Sequence, residues 1–351
     1  MATLKDIARK AGVSVGTVSR VINNSPHVSD RKRDIVLGIM EELDYQPNLM
    51  AQILSRKRPR TAELGLVVTG IDNPANVSIV KGATEEAAKY GYVVMFCTAW
   101  HTKEIKKYLD GFVRRQVEGV AIASYMDARS LVTLSDLQTK GVPLAVCRDA
   151  AWPVAKDDHA FFKQLPVATV DFDSVNTCEQ AVRYLIELGH KRIAAITGNA
   201  ELHGKDPRLL GYRQALEKAG MAYDPKLLYA GAYDTVTTGF AAMQEILTSC
   251  REVTAIFGFN DMLALGAIRA LQDAGIRVPE DFSVIGFDNS LIGSYTNPTL
   301  STINVPKYEI GQALIRSLIG VIQGTELRHE VLNTNFVVRQ STGFAPGKSL
   351  S

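Results

Sequence analysis

The sequence predicts a small all-helical N-terminal unit followed by a larger α/β unit built on parallel sheets. Three observations support this division of the 351-residue chain. Apolar residues recur with helical spacing near the N-terminus, and basic residues are concentrated in the same stretch. From Glu63 onward, short apolar runs alternate with helical patterns, which is typical of strands connected by helices.

The first predicted helix begins at Thr3 and ends at Gly12. Its apolar residues fall at positions i, i+3, i+4 and i+7, one face of a helix with 3.6 residues per turn: Leu4, Ile7, Ala8 and Ala11. Thr3 is an N-cap residue, and Asp6 three residues later predicts a capping box. Gly12 predicts a left-handed C-cap.

Two further helices are predicted directly after the first. Ser14 caps the second, whose apolar residues pack back on the first: Val18, Val21 and Ile22. Ser29 begins the third, whose apolar face is predicted from Ile35, Ile39 and Leu43. The first two helices predict a helix-turn-helix, whose second helix enters the DNA major groove. An ordinary helical hairpin is the alternative.

Charge is distributed unevenly along the chain. Residues 1–60 contain eleven basic and six acidic side chains, a net charge of +5, so the remainder carries −3 of the total of +2. A basic head on a mildly acidic body favours contact with phosphates through the head alone.

Four blocks occur at fixed spacing in and after the head: Thr3-Leu4-Lys5-Asp6-Ile7-Ala8, Ala11-Gly12-Val13-Ser14, Thr17-Val18-Ser19-Arg20-Val21 and Tyr45-x-Pro47-Asn48-x-x-Ala51-x-x-Leu54. With these blocks the chain resembles the lactose-repressor/galactose-repressor (LacI/GalR) family of bacterial transcription regulators. The resemblance continues more loosely to about Gly343. It implies a homodimer that binds a pseudo-palindromic operator and responds to a small-molecule effector.

The resemblance assigns base contacts to the second helix. Arg20 is predicted to make a bidentate contact with guanine, worth about 1–3 kcal/mol of discrimination. Val15 meets a thymine methyl group, and Gly16 permits close approach. Phosphate contacts are predicted for Ser14, Thr17, Ser19 and Asn23, although capping or solvation is the alternative for Thr17 and Ser19. The predicted DNA-binding set also includes Thr3, Leu4, Tyr45 and Ser55.

Residues 47–61 resemble the family's hinge helix and linker. The resemblance implies that two such helices, one from each protomer, enter the minor groove together, where Leu54 wedges between base pairs. Ala51 allows close packing, and Asn48 opens the segment. Taken alone, a leucine in a short helix is more often a core residue. A basic linker follows at 56–60 and ends the DNA-binding part.

From Glu63 onward the pattern predicts strands at 64–69, 92–97, 119–123, 142–147, 167–170, 192–197, 255–257 and 283–287. Helices are predicted at 78–90, 103–115, 130–140, 174–188, 208–219, 237–249 and 261–274. This alternation predicts parallel sheets with helices on both faces.

The resemblance divides residues 62–343 into two lobes of the periplasmic-binding-protein-like (type I) fold. The N-lobe comprises 62–172 and 304–330, and the C-lobe 173–303 and 331–343. A head at 1–46 precedes the hinge, and 344–351 form a tail. The tail has no leucine heptad, so a tetramer built on a C-terminal coiled coil is disfavoured.

Ligands of open α/β sheets bind beyond the carboxyl ends of the strands, which predicts an effector site between the lobes. The resemblance implies effector contacts from Arg208, Asn260 and Asp288, and Asn73 follows the first strand. A carboxylate accepts from two adjacent hydroxyls while arginine and asparagine hold others, which suits a polyol. The neighbouring Asp261 is read instead as a charge at a helix N-terminus.

Departures from the family pattern bear on the effector class. Ala75 and Asn76 stand where two aromatic residues are usual, which disfavours a purine-type effector. Val305 stands where some sugar-binding members carry glutamine. Asn76 completes this part of the predicted effector set.

Arg148 stands where aspartate is common. Together with Arg208 it favours an anionic effector, such as a sugar acid or sugar phosphate. Alternatively, Arg148 forms a structural pair with Asp149 or Asp173, and the sequence does not decide between these interpretations.

Two aromatic residues complete the predicted effector set. Trp152, in an extended loop at 149–166, is placed to stack on a sugar face, with packing against its own lobe as the alternative. Tyr233 occupies approximately the position of another family aromatic.

Enzyme and metal-site signatures are absent from the sequence. It contains no nucleophile elbow, P-loop, H-E-x-x-H or dinucleotide-binding motif, and its six histidines are scattered. A structural role is expected for His190, and no cofactor or metal is predicted. The cysteines lack C-x-x-C spacing and are expected to be reduced core residues: Cys97, Cys147, Cys178 and Cys250.

The predicted function is that of a non-enzymatic, sugar-controlled repressor of carbohydrate-utilisation genes. No signal peptide or membrane-spanning run is found, so a cytoplasmic, nucleoid-associated protein without membrane contact is expected. Two alternatives remain: a cytoplasmic sugar-binding sensor that acts through a protein partner, and an enzyme on the same scaffold.

Overall fold

The computed structural model describes residues 3–22, 27–43, 45, 61–99, 102–124, 128–149, 167–198, 206–231, 235–250, 252–325 and 329–347. The chain separates into two compact units, Met1–Thr61 and Ala62–Ser351. Apart from Thr61, the predicted hinge and linker at 47–61 lie outside the described residues.

The first unit contains three helices: α1 (Leu4–Ala11), α2 (Val15–Ile22) and α3 (Asp30–Glu42). The predicted capping box is confirmed: the Thr3 hydroxyl accepts from the Asp6 amide at 3.3 Å, and the Asp6 carboxylate accepts from the Thr3 amide at 3.0 Å. Gly12 closes α1 in the predicted left-handed conformation, with φ of 63°. Ser14 begins α2 and accepts from the Thr17 amide at 3.1 Å.

A small apolar core holds the three helices together, with Ile7, Val18 and Val36 fully enclosed. The predicted core position Ile35 is wrong, because 44% of this residue is exposed. A spacing of four residues drifts around a helix of 3.6 residues per turn. The buried stripe of α3 therefore runs through Val36, with Ile39 and Leu43 packed at its edge.

The second unit alternates strands and helices. The strands are β1 (Glu63–Val68), β2 (Val93–Thr98), β3 (Gly119–Ala123), β4 (Leu144–Asp149), β5 (Ala168–Phe172), β6 (Ile193–Thr197), β7 (Leu228–Ala230), β8 (Ala255–Gly258), β9 (Ser283–Asp288), β10 (Ser301–Asn304), β11 (His329–Leu332) and β12 (Asn335–Val337). The helices are α4 (Pro74–Lys89), α5 (Thr102–Arg114), α6 (Ala128–Thr139), α7 (Ser174–Glu187), α8 (Pro207–Lys218), α9 (Val236–Ser249), α10 (Asp261–Asp273) and α11 (Lys307–Gln323), besides short 3-10 turns at Pro225–Leu227 and Leu291–Ser294.

The strands form two six-stranded sheets, one in each lobe. The N-lobe sheet has the order β11-β5-β4-β3-β1-β2, and the C-lobe sheet has the order β12-β10-β9-β8-β6-β7. The predicted two-sheet fold is confirmed, with one difference: β12 pairs antiparallel to β10. The sequence patterns missed four short strands, β7, β10, β11 and β12, because three or four residues carry too little periodicity to be recognised.

The chain crosses between the sheets three times, after β5, after β10 and after β11. The last crossing, which follows the N-lobe segment predicted to end at about 330, comes just after Leu332. Strand β11 continues to Leu332, where it still pairs with Phe172 of the N-lobe sheet. Helix α4 also begins earlier than predicted, at Pro74, because Asn73 caps it and proline suits the first helical turn.

Helices α4 and α11 pack against each other at unusually short range. A Cβ atom on Gly82 of α4 would lie 2.0 Å from the Tyr308 carbonyl oxygen, and one on Gly311 of α11 would lie 2.1 Å from the Ile79 carbonyl oxygen. Each glycine therefore admits the backbone of the other helix. In the C-lobe, α9 and α10 meet in the same way through Gly239 and Gly266.

Of the four cysteines, which are all free, only Cys178 is fully buried. The expectation of core positions is therefore wrong for the half-buried Cys97, Cys147 and Cys250, which pack at the edges of the cores. Within the described ranges, no helix combines the length and apolar character that a membrane crossing requires.

Candidate functional site

One face of α2 is exposed, as a DNA-reading helix requires. Val15 is 41% exposed, and Gly16 and Arg20 are also exposed. The opposite face buries Val18 and Val21 in the head core. The three predicted base-reading residues therefore share one accessible surface, held rigidly by the packed face behind it.

The other predicted DNA-binding residues cap helices, pack against the head core or lie outside the described residues. Ser14 and Thr17 bond to each other, with 3.0 Å between their hydroxyl oxygens, and the Thr17 amide donates to the Ser14 hydroxyl at 3.1 Å, so Thr17 makes the capping contacts given as its alternative. Ser19 is half-buried, and Thr3 caps α1. Leu4 and Tyr45 pack against the head core. Five predicted contacts lie outside the described residues: Asn23, Asn48, Ala51, Leu54 and Ser55.

The second candidate site centres on Asp288, the last residue of β9 in the C-lobe. Its carboxylate is almost completely buried and is held by two N-lobe side chains. The Asn73 amide donates to one oxygen at 2.5 Å, and the Lys307 ammonium lies 2.7 Å from the other. Its backbone has φ of 113°, a strained conformation that turns the chain at the end of the strand.

Lys307, which sequence reasoning missed, extends this network within the N-lobe. Its ammonium also donates to the Asn76 side-chain oxygen at 2.8 Å, and the Asn76 amide donates to the Gly70 carbonyl at 2.9 Å. Asn73 accepts from the Ala75 amide and so caps α4. The structure thus brings together three predicted effector residues, Asn73, Asn76 and Asp288, around an unpredicted lysine.

Arg208 is fixed by the residue that caps its own helix. Its guanidinium forms a bidentate pair with Asp206, at 2.9 and 2.6 Å, and donates to the Phe259 carbonyl at 2.5 Å. The guanidinium carbon also lies 5.2 Å from the Phe259 ring centroid and 5.4 Å from that of Phe287. The positive charge is therefore already compensated.

Arg148 is compensated in a similar way by Asp171, a carboxylate that the sequence analysis did not name. Residues 148 and 171 lie opposite each other in the parallel pair β4–β5, and the bidentate contacts measure 2.9 and 2.5 Å. Of the two partners proposed from the sequence, Asp149 accepts from the Ser174 hydroxyl, and Asp173 caps α7.

Asn260 and Asp261 begin α10. The Asn260 side-chain oxygen accepts from the Leu263 amide at 2.8 Å, so this predicted effector residue is also an N-cap. Asp261 lies at the helix N-terminus as predicted, but its carboxylate is fully buried and accepts from Ser290 and Thr302. Burial, followed by the charge of Asp288, raises the pKa of Asp261 to about 7.

The remaining predictions concern aromatic, histidine and metal-binding residues. Trp152 and Tyr233 lie outside the described residues. His190 is buried and bonds through its ring nitrogens to Thr254 at 2.8 Å and Ser283 at 2.9 Å, which is the structural role expected for it. In the part of the chain that the structure describes, no group of three metal-ligating side chains comes together.

Family models match two parts of the chain. Residues 3–48 match the model described as bacterial regulatory proteins, lacI family, and residues 182–342 match a periplasmic binding protein-like domain. The chain is similar to the HTH-type transcriptional regulator DegA of Bacillus subtilis (strain 168), with 34% identity over 97% of this chain and 98% of the relative.

Two solved structures are similar over nearly the whole chain. A lac repressor dimer bound to operator and the anti-inducer ONPF matches with a TM-score of 0.83 and 27% identity, covering 97% of this chain and 99% of that one. A complex of the transcriptional regulator CelR with cellobiose matches with a TM-score of 0.68 and 34% identity, covering 97% of this chain and 100% of that one.

Proposed function

Since the chain belongs to the lacI family of bacterial regulatory proteins, we propose that it is a sequence-specific transcriptional repressor of carbohydrate-utilisation genes, controlled by a small sugar or sugar derivative. The observation that carries this proposal is the exposed face of α2, with Arg20 presented on a rigid helical head. A homodimer places two such heads on the half-sites of a pseudo-palindromic operator. The similar lac repressor structure is a dimer bound to operator.

Operator recognition is assigned mainly to α2. Arg20 contacts guanine, Val15 contacts a thymine methyl group, and Gly16 allows the helix to approach the base edges. Phosphate and minor-groove contacts from the flanking residues set the register: Thr3, Leu4, Ser14, Thr17, Ser19, Asn23, Tyr45, Asn48, Ala51, Leu54 and Ser55. The net charge of +5 over residues 1–60 supports phosphate binding by this part of the chain.

The effector binds between the two lobes, where Asp288 of the C-lobe meets Asn73 and the Asn76–Lys307 pair of the N-lobe. Carboxylate, amide and ammonium groups in one place suit a polyhydroxylated ligand. The similar CelR structure holds cellobiose, which supports a sugar as the ligand class. Further effector contacts are proposed for Arg148, Trp152, Arg208, Tyr233 and Asn260.

Control of DNA binding requires that the effector prefer one arrangement of the lobes over the other. A hundredfold change in operator affinity corresponds to a difference of about 2.8 kcal/mol in effector binding between the two arrangements. Because the similar proteins are transcriptional regulators, we assign no catalytic activity to the chain and place it in the cytoplasm, at the nucleoid.

The proposal is tested by fluorescence anisotropy of the full-length protein with DNA from upstream of its own gene. Arg20→Ala is expected to remove the preference for the specific site while leaving salt-sensitive, non-specific binding. Arg31→Ala, at an exposed arginine of α3, is the matched control and should keep the preference. Failure of the wild-type protein to bind any DNA at low ionic strength would refute the proposal and would favour a sensor that acts through a protein partner.

A further inference from the structure

Lys307 occupies a special position in the chain and in the cleft. It begins α11, three residues after β10 ends at Asn304, so it lies immediately beyond the second crossing between the lobes. Only 14% of its side chain is exposed, and its ammonium lies between Asp288 of the C-lobe and Asn76 of the N-lobe. A single side chain therefore bridges the two lobes at the proposed effector site.

The contacts of Asp288 are those that a bound polyol would need. A carboxylate recognises a sugar by accepting hydrogen bonds from adjacent hydroxyls. Here the two oxygens accept from the Asn73 amide at 2.5 Å and from the Lys307 ammonium at 2.7 Å. The N-lobe thus supplies to Asp288 the donors that a ligand would otherwise supply.

The charge balance around the cleft does not favour an anion. Among the described residues, the three cations there each have a carboxylate partner: Arg148 with Asp171, Arg208 with Asp206, and Lys307 with Asp288. Two further carboxylates lie at the carboxyl ends of β4 and β5: Asp149 and Asp173. An anionic group would therefore have to displace a carboxylate from its cation and would still face an excess of negative charge.

We propose that Lys307 is a specificity-determining residue: its ammonium pairs with the Asp288 carboxylate, so the cleft selects effectors whose hydroxyl or amino groups can replace that ammonium as donors. That an effector exists rests on the proposed function, whereas the contact of Lys307 with Asp288 does not depend on it. The effector class that follows is an uncharged polyol or an amino sugar. Sugar acids and sugar phosphates are excluded from the Asp288 subsite, in contrast to the anionic effector that two unpaired arginines would favour.

The bridge is tested without a ligand, by hydrogen exchange of the full-length protein. Lys307→Met keeps the length of the side chain and removes its charge. Backbone amides at 70–76 and 288–290 are expected to exchange about tenfold faster, because local opening of the lobes becomes easier. Lys81→Met is the matched control, since Lys81 forms only an exposed pair with Glu85 at 4.0 Å. Unchanged exchange in Lys307→Met would overturn the bridge.

Selectivity is tested by calorimetry with three matched probes, glucose, glucosamine and glucuronate. If glucose or glucosamine binds the wild-type protein, that sugar is expected to bind Lys307→Met several-fold more tightly, because the competing ammonium is gone. Tighter binding of glucuronate than of the other two by the wild-type protein would overturn the proposed effector class. If none of the three binds, the exchange result still decides whether Lys307 holds Asp288. Failure to bind DNA would refute the proposed function and leave that result intact.

Discussion

Replacing Gly82 with alanine tests how closely α4 and α11 must approach. The added Cβ would lie 2.0 Å from the Tyr308 carbonyl oxygen, a separation that real Cβ atoms do not show. The obstacle is helix backbone, which does not rotate away as a side chain does. The two helices must therefore separate by about 1 Å, which opens gaps in a close-packed interior.

The expected loss of stability follows from two opposing contributions. Overpacking of this kind destabilises by about 1–3 kcal/mol, whereas replacing glycine with alanine inside a helix stabilises by up to about 1 kcal/mol. Because the added Cβ meets backbone, we expect the cost of overpacking to lie at or above the upper end of this range. The net loss in the free energy of unfolding is then about 2 kcal/mol. For the unit Ala62–Ser351 that lowers the Tm by about 3 °C.

The measurement is thermal unfolding of Gly82→Ala beside a matched control, Gly111→Ala. Gly111 lies in α5, and its added Cβ would have only the Arg114 guanidinium nearby, at 4.0 Å. The control should gain up to about 1 kcal/mol, so the two alanines are expected to have opposite signs. The double variant Gly82→Ala/Gly311→Ala should lose less than the sum of the single losses, because either change alone separates the same helices.

A Tm for Gly82→Ala at or above that of the wild type would refute this reasoning.

The separation of α4 from α11 also has a functional consequence, because both helices begin at the cleft. Moving α11 away from α4 lengthens the 2.8 Å bond from Lys307 to Asn76. We therefore expect Gly82→Ala to weaken effector binding even at temperatures where the variant is folded.

Three further predictions concern buried polar groups. Asp288→Ala should abolish the effector response while leaving operator binding intact, as measured by anisotropy with and without effector; a preserved response would mean that the site is misplaced. The pKa of Asp261 is raised from 3.8 to about 7, so the folded protein retains a proton that the unfolded chain releases, and this contribution to stability is lost as the pH rises from about 4 through 7. The measurement is urea unfolding of the wild type and Asp261→Asn at pH 5 and pH 8, about two units below and one above the folded pKa. The stability of the wild type relative to the variant should be greater at pH 5. An equal difference in stability between the two proteins at both pH values would contradict the raised pKa. His190→Leu removes the hydrogen bonds of a buried imidazole to Thr254 and Ser283 and should destabilise by about 1–3 kcal/mol in urea unfolding, whereas an unchanged midpoint would exclude the structural role.

Features that depend on neighbours in sequence were predictable. The Thr3–Asp6 capping box and the Ser14 cap connect residues three apart, so the residue types and their spacing suffice to predict them. The core face of α3 was harder to predict from the sequence, because Ile35 and Val36 differ by only 100° around the helix. Only packing against α1 and α2 places Val36 inside.

Features that depend on distant pairing were not predictable from patterns. Asn73 and Asp288 are 215 residues apart, and Lys307 and Asn76 are 231 apart. For Arg148, the sequence suggested Asp149 or Asp173 as partners, whereas the β4–β5 register places Asp171 directly opposite. Lys307 was missed, although it lies just after the lobe boundary predicted at 304, because its partner Asp288 is known only from the fold.

The three crossings of the chain have a consequence for how the protein is made. The N-lobe sheet lacks its edge strand β11 and the covering helix α11 until residues 307–332 have been synthesised. The head, in contrast, is complete by residue 45.

At the usual pace of translation, about 15–60 s separate these two points. A nascent chain in that interval presents a finished DNA-reading head attached to a body that has no closed cleft. The DNA-binding head is therefore synthesised before the cleft to which we assign effector binding is complete.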